Sequence, residues 1–256
     1  ESIINKKNKV KLVKSDIRNN KDTERLIKIA NPDIIFHLAA QSLVTISWDK
    51  PRLTYITNFM GTYNLFESVR RAKIDPRIIA TCSSAEYGMT SDSELPINEK
   101  KELRPTNPYG VSKVAQDFLS YLYFKSYGMK IIRSRPFNIS GPGKRTDALA
   151  EFSRGIIEVE KGLKKFLLVG NLQSIRDYTD VRDCIIALTL LSEKGKFGEV
   201  YNICSGNGRK IKDFLNILMK FSTKKIEMRQ DKGKIRVYDD PVFVGDNSKI
   251  KSLGWK

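Results

Sequence analysis

Between residues 9 and 135, short apolar runs alternate with stretches of helical periodicity, and nothing else in the chain restricts its fold as much. Lys9-Val10-Lys11-Leu12-Val13-Lys14 alternates as a strand does, and Ser15-Asp16 ends it. Asp22 to Ala30 reads as a helix with Asp22 as N-cap and Asn31-Pro32 as its stop. Asp33 to Leu38 is the next strand, closed by the small residues Ala39 and Ala40. Thr54 to Arg71 is a long helix with Ile56, Met60, Tyr63 and Phe66 on one side, and residues 77–83 form a buried strand. A helix opening at Pro108 and a strand from Lys130 to Arg135 complete the series. Strands and helices alternating in this way predict an α/β fold with a doubly wound parallel sheet and right-handed crossovers. Ligands of such sheets bind beyond the carboxyl ends of the strands, where Asp16, Ala39, Ser83 and Asn138 are expected to lie.

After the Gly141-Pro142-Gly143 turn the pattern is less regular. Helices are expected over Asp147 to Lys161, Cys184 to Leu191 and Ile211 to Lys220. Strands are expected over Phe166 to Val169 and Glu199 to Cys204. Three dispersed cysteines, Cys82, Cys184 and Cys204, form no CxxC pair and predict a disulfide-free, cytoplasmic protein. With a single histidine, His37, and no cysteine cluster, no metal site is expected. No apolar run approaches the roughly 20 residues a membrane helix needs, so no membrane partner is expected. The net charge of +17 raises nucleic acid as a partner. The lysines, however, are spread along the whole chain without an aromatic platform, which favours a lysine-rich surface and no nucleic acid.

Chemistry concentrates at Pro108-Tyr109-Gly110-Val111-Ser112-Lys113. Residues four apart share a helix face, so the Tyr109 phenol and the Lys113 ammonium point the same way. A lysine beside a phenol is expected to lower its pKa from about 10 towards working pH, giving a proton donor and acceptor. A second Tyr-x-x-x-Lys, Tyr121 to Lys125, lies deeper in the same helix. Only Tyr109 opens the helix after prolines and follows a strand that ends in the hydroxyls of Ser83 and Ser84. A strand-end hydroxyl, a phenol and a lysine together suit proton transfer at a sugar oxygen.

These residues resemble those of the extended short-chain dehydrogenases/reductases that act on nucleotide-sugars, along essentially the whole chain. Ala40-Gln41-Ser42, Ser47-Trp48, Glu86-Tyr87-Gly88-Met89 and the run Tyr201 to Gly206 resemble the GDP-mannose branch, which holds 4,6-dehydratases and 4-keto-6-deoxymannose reductases. The resemblance implies NAD or NADP as cofactor, held by Asp16, Ile17, Leu38, Ala39, Ala40, Ser42, Asn58, Tyr109, Lys113 and Pro136. It implies Ser83, Tyr109 and Lys113 as the catalytic residues. It further implies a GDP-sugar or other nucleotide-sugar substrate, held by Ser84, Ala85, Asn138, Arg145, Arg176, Arg236 and Asp239. A homodimer through the 54–71 and 109–127 helices follows from the same likeness and from their extra apolar faces. The implied division is a cofactor domain at 1–139 and 172–203 and a substrate domain at 140–171 and 204–256.

The sequence departs from the family pattern at two points. No G-x-G-x-x-G occurs, so the chain is expected to lack roughly the first 45 residues of a longer parent, about one and a half βα units. Val237 stands where a proline usually follows the late arginine. A third feature selects among activities. Dehydratases place a glutamate two residues before the Tyr-Gly pair, and here that position is Ala85. Glu86 is adjacent but, on a strand, would aim at the opposite face. The expected reaction is therefore reduction of a 4-keto sugar, ahead of 4,6-dehydration or 4-epimerisation.

Overall fold

The computed structural model describes residues 10–231, 233 and 240–256. In chain order its elements are α1 (Asn20–Ala30), β1 (Ile34–His37), α2 (Val44–Asp49), α3 (Pro51–Tyr55), a π-helical turn (Ile56–Met60), α4 (Gly61–Ala72) and β2 (Arg77–Thr81). Two 3₁₀ turns, Ser84–Glu86 and Asp92–Glu94, precede α5 (Pro108–Tyr127). Then come β3 (Ile131–Pro136), β4 (Asn138–Ser140), α6 (Ala148–Glu160), β5 (Leu167–Val169), β6 (Ile175–Asp180), α7 (Val181–Lys194) and β7 (Val200–Ile203). The chain closes with β8 (Gly208–Lys210), α8 (Ile211–Met219), β9 (Met228–Gln230), β10 (Val242–Phe243) and α9 (Ser248–Lys251).

The expected parallel sheet forms in the order β1-β2-β3-β7, every pair parallel. Two apolar cores flank it. On one side Leu65, Phe66 and Val69 of α4 and Leu119 and Tyr123 of α5 pack on Ile78, Ala80 and Ile131. On the other, Cys184, Ala187, Leu188 and Leu191 of α7 pack on Ile79, Ile132 and Ile203. Covering both faces is why successive residues of β2 and β3, Ile78 and Ile79, and Ile131 and Ile132, are apolar and fully buried. A smaller sheet, β10-β6-β4 with β8 on β6, stands beside it, and β5 pairs with β9.

Two local expectations fail. The described part of the 9–14 run forms no strand, and Val10 and Leu12 are exposed. A strand needs a ladder to join, and among the described residues β1, at the end of the sheet, bonds only to β2. The N-cap of α1 is Asn19, three residues before Asp22, because its side-chain oxygen receives the Lys21 and Asp22 amides. The helix expected at 54–71 does form, but within a helical run from Pro51 to Ala72 interrupted by the π turn. At that turn the Gly61 amide reaches back to the Ile56 carbonyl.

Candidate active site

Tyr109 and Lys113 occupy the first turns of α5, whose start is fixed by its sequence. Asn107 caps it by accepting the Gly110 amide at 2.8 Å, and Pro108 supplies a preset φ at the first helical position. Gly110 permits a close approach: a Cβ there would lie 2.6 Å from the Ala85 carbonyl oxygen and 2.9 Å from Pro105. The helix start therefore presses directly against the turn after β2, which carries Ser83. Gly88 closes that turn at φ +64, where a Cβ would collide with the Arg104 carbonyl.

Ser83 is buried, and its hydroxyl lies close enough to the Tyr109 phenol to draw the phenol's pKa down. It also caps the Ser84–Glu86 turn, accepting the Ala85 amide at 3.1 Å. Burial pushes Tyr109 up to about 12; the Ser83 hydroxyl opposes this, while Glu86 and Cys82 add to it. The expectation that Lys113 lowers the phenol is not met. Its ammonium lies 5.9 Å from the Tyr109 ring centre and is held instead by the Thr81 carbonyl at 2.7 Å and Gln116 Oε1 at 2.9 Å. Burial lowers Lys113 itself. Tyr109 is thus a protonated phenol beside a strand-end hydroxyl, suited to donating a proton. Tyr121, of the second Tyr-x-x-x-Lys, is exposed on the helix's outer face.

The β1 end of the sheet presents Leu38, Ala39 and Ser42, all exposed, and Ala40, half-buried. Asn58, in the π turn, does not face this rim. It is fully buried, and its amide is wholly used: Oδ1 accepts the Gln41 amide at 2.8 Å, and Nδ2 donates to Gln41 O at 3.0 Å and Ser112 Oγ at 2.9 Å. It clasps the 38–42 loop to α5 and acts on that loop's position. His37, at the end of β1, bonds Thr62 Oγ1 at 2.8 Å; burial, then Lys113, holds it down at about 3, a neutral structural group.

Asp16 and Ile17 follow the unformed strand, so three of the four expected strand-end residues keep that setting and Asp16 does not. The Asp16 carboxylate is gripped by Arg18, which lowers it to about 2, and a shallow pocket beside it is lined by Arg18, Asn19, Asn20 and Ile56. A ligand stretched along the carboxyl ends of the sheet would meet this pocket, the small residues of the 38–42 loop and the end of β2. There Lys113 has one N–H beyond its two partners, and Thr81 Oγ1 is buried without one. That set fits a dinucleotide.

Beyond β3, buried Pro136 leads to Asn138, whose Nδ2 donates to the Asp177 carbonyl at 3.0 Å. This bond joins β4 to β6, where Arg176 is half-buried and donates to the Ile175 carbonyl at 2.8 Å. Ser84 is buried and Ala85 half-buried in the turn after β2. Exposed Arg145 lines a cavity of about 470 Å³ with Lys144, Arg154 and Lys161, on the outer side of α6. Arg236 and Asp239 lie outside the described residues.

Sequence reasoning gave Asp177 no structural role, but its buried carboxylate organises the turn after β7. Oδ1 accepts the Ser205 amide at 2.8 Å and hydroxyl at 2.6 Å, and Oδ2 accepts the Gly206 amide at 2.9 Å and the Gly245 amide at 3.3 Å. The same reasoning placed Glu86 on a strand, aimed away from the sugar. That residue lies on a 3₁₀ turn, so the strand argument for its direction does not apply; it is fully buried, with Oε2 3.0 Å from Arg135 Nε. The available signal was the pair Arg133 and Arg135 on a strand that begins Ile131-Ile132, since buried guanidiniums require buried carboxylates.

The chain matches the family model described as GDP-mannose 4,6 dehydratase over residues 1–256. It belongs to that family. A relative named GDP-6-deoxy-D-mannose reductase, from Pseudomonas aeruginosa, is 32% identical over 88% of this chain and 75% of its own length. A GDP-mannose 4,6-dehydratase from Yersinia enterocolitica is 28% identical over 94% of this chain and 73% of its own. Against a trifunctional dehydratase/epimerase/reductase of Arabidopsis thaliana, 29% identical, the chain spans 37% of the relative's length. Among solved structures, RMD from Pseudomonas aeruginosa complexed with NADPH superposes at a TM-score of 0.89, with 30% identity over 95% of this chain and 82% of that one. A Thermus thermophilus UDP-glucose 4-epimerase in complex with NAD gives 0.83 and 26%, over 94% and 78%. As a member of the GDP-mannose 4,6-dehydratase family, the chain has the Rossmann-like fold of the extended short-chain dehydrogenases/reductases. None of its described helices is long and apolar enough to cross a membrane.

Proposed function

We propose that the protein is an NAD(P)-dependent nucleotide-sugar oxidoreductase that reduces a GDP-4-keto-6-deoxyhexose at C4. The observation that carries this reading is the turn after β2. Dehydration across C5 and C6 needs an acid and a base beyond the phenol. Here Ala85 ends in a methyl group, and Glu86 is buried with its oxygens turned to the Ser83 amide and Arg135. Ser83, Tyr109 and Lys113 remain, and reduction requires no more than these. Relatives that bear the names of a reductase of this kind and of a structure with NADPH support the same direction.

In this reading the bound nicotinamide supplies the hydride. Tyr109 donates its phenolic proton to the sugar O4, and Ser83 Oγ hydrogen-bonds the same oxygen and fixes its distance from the phenol. Lys113 keeps its place on the Thr81 carbonyl and offers its remaining N–H to the cofactor ribose. Asp16, Ile17, Leu38, Ala39, Ala40, Ser42 and Pro136 line the cofactor, with Asn58 holding the 38–42 loop. Ser84, Ala85 and Asn138 face the sugar and diphosphate, and Arg145, Arg176, Arg236 and Asp239 serve the nucleotide end, the arginines as charge-assisted forks. The proposed division into a cofactor domain (1–139, 172–203) and a substrate domain (140–171, 204–256) places the sugar between them.

We further infer a homodimer in the cytoplasm. Met60 and Tyr63 on one helix, and Val111, Phe118, Tyr121 and Leu122 on α5, are exposed apolar side chains on the faces turned away from the sheet.

Two incubations test the reaction. The 4-keto-6-deoxy sugar nucleotide with NAD(P)H should be consumed with loss of absorbance at 340 nm, while GDP-mannose with NAD(P)⁺ should yield no keto sugar. Keto-sugar formation in the second tube would overturn the assignment.

A further inference from the structure

Cys82, Glu86 and Asp117 bring their ligating atoms within 4.8 Å of one another, all buried, directly beneath the catalytic turn. Cations of the protein already occupy the centre of this cluster. Arg135, from β3, places Nε 3.0 Å from Glu86 Oε2 and 3.0 Å from Asp117 Oδ2, and Arg133 pairs with Asp117 Oδ1 at 2.5 Å. Two carboxylates thus face two guanidiniums, an ion-pair network and not a vacant metal cage. The Arg135 guanidinium also donates to the Tyr87 hydroxyl at 3.1 Å, and that hydroxyl donates to Asn202 at 2.7 Å.

The network has one connection to the reacting groups. Glu86 Oε1 accepts the backbone amide of Ser83 at 2.8 Å. At its far end Asp117 belongs to α5, the helix that carries Tyr109 and Lys113. The chain Ser83–Glu86–Arg135–Asp117 therefore ties the hydroxyl of the site to the helix of the phenol across β3.

Resting on the reading of Ser83 and Tyr109 as the proton-donating pair, we propose that Glu86 is a positioning residue: its bond to the Ser83 amide and its ion pair with Arg135 fix Ser83 against Tyr109 and keep a negative charge beneath the phenol. Glu86 Oε1 accepts the Ser83 amide, while its Oε2 lies 3.0 Å from Arg135 Nε as an ion-pair contact without a hydrogen bond of its own. The groups facing it are Arg135 from β3, Asp117 and Lys113 from α5, and Cys82 and Tyr87 from its own segment. Burial and then Asp117 raise its acid to about 8 against the pull of Arg135, the Ser83 amide and Lys113, so it carries its charge over the alkaline range in which the phenol titrates. Its charge is also among the causes that hold Tyr109 protonated. Burial is the first cause of that protonation state, and Glu86 adds to it without touching the sugar.

The test uses Glu86→Gln and Glu86→Asp in the intact protein, with cofactor affinity and thermal unfolding as controls for folding. Glutamine keeps an acceptor for the Ser83 amide but removes the charge. The alkaline limb of the kcat–pH profile, and the onset of Tyr109 phenolate absorbance near 295 nm (each background minus its Tyr109→Phe counterpart), should move down by about one pH unit. Aspartate keeps the charge but is one methylene too short to reach both partners. Here kcat should fall about tenfold with cofactor affinity unchanged and the limb in place. A purely structural Glu86 would lower the unfolding temperature and leave both the limb and the phenolate onset where they are, which overturns the inference. Should Glu86→Gln fail to fold, Glu86→Asp decides alone, a wild-type kcat overturning the inference and a tenfold loss supporting it. The phenolate titration needs no substrate. A wild type inactive on GDP-sugars would therefore sink the assigned reaction, while the titration would still decide the role of Glu86.

Discussion

Replacing Asp177 by asparagine changes one atom in a buried side chain and should unfold the turn it organises. The carboxylate receives four hydrogen bonds, three from backbone amides and one from the Ser205 hydroxyl. Asparagine can accept on one side only. Its better orientation turns the carbonyl to Ser205 and the NH₂ to the Gly206 and Gly245 amides, which are then left facing a donor. Leaving a buried donor without a partner costs about 1–3 kcal/mol. The Gly245 contact, at 3.3 Å, is the weaker of the two, so the sum should fall near 3 kcal/mol. For a chain of this size that is a fall of roughly 6–12 °C in Tm. Because the Asp177 carbonyl also holds Asn138, the KM for the nucleotide-sugar should rise while cofactor affinity stays within about twofold. Calorimetry or a urea titration measures the first effect, and initial rates with fluorescence titration of NAD(P)H measure the second. A Tm within about 2 °C of wild type would mean that the four bonds contribute little and that the turn is held by packing.

Further outcomes are expected elsewhere. Tyr109→Phe should reduce kcat at least about a hundredfold and leave nucleotide-sugar binding nearly intact; normal turnover there together with a dead Tyr121→Phe would show the wrong tyrosine was chosen. His37 is neutral when folded, with its pKa depressed to about 3 from an ordinary 6.5, so below pH 6.5 the unfolded chain takes up a proton that the folded one refuses. Stability from this group is therefore complete above pH 6.5 and lost by about 1.4 kcal/mol per unit as pH falls towards 3. Unfolding curves of wild type and His37→Gln that stay parallel between pH 7 and 4.5 would contradict this. Phe118→Glu, at an exposed point of α5, should convert the proposed dimer to a monomer by light scattering without loss of helix; a variant that remains dimeric would place the interface elsewhere.

The sheet was legible because β1, β2 and β3 each carry an apolar run and each is followed or preceded by a helix with a clear stripe. The position of Tyr109 at a helix start was legible because prolines precede it and Ser83 ends a strand. The polar interior was not. Arg135 meets Asp117 from 18 residues away, and Asp177 meets Gly245 from 68, so neither pairing leaves a period in the sequence. The protonation of Tyr109 was misjudged for a related reason. Spacing puts Lys113 on the same helix face, but its ammonium is drawn to the Thr81 carbonyl, 32 residues away, instead of to the phenol oxygen. The 9–14 run shows the converse: alternation is a local property, whereas a strand also requires a neighbour.

The π turn at Ile56–Met60 amounts to one residue more than an α-helix needs over that span. Each helical residue turns the chain by about 100°, so deleting one position here would give a smoother helix and rotate everything before it against everything after it. Asn58 would swing off Ser112 and Gln41, and the 38–42 loop would lose its clasp, with no side chain in that loop altered. Single-residue length changes inside this helix are thus more damaging than most substitutions on its surface. When distant members of the family are aligned, a gap placed in the middle of this helix carries information about the active-site rim and should not be moved to the nearest loop for tidiness.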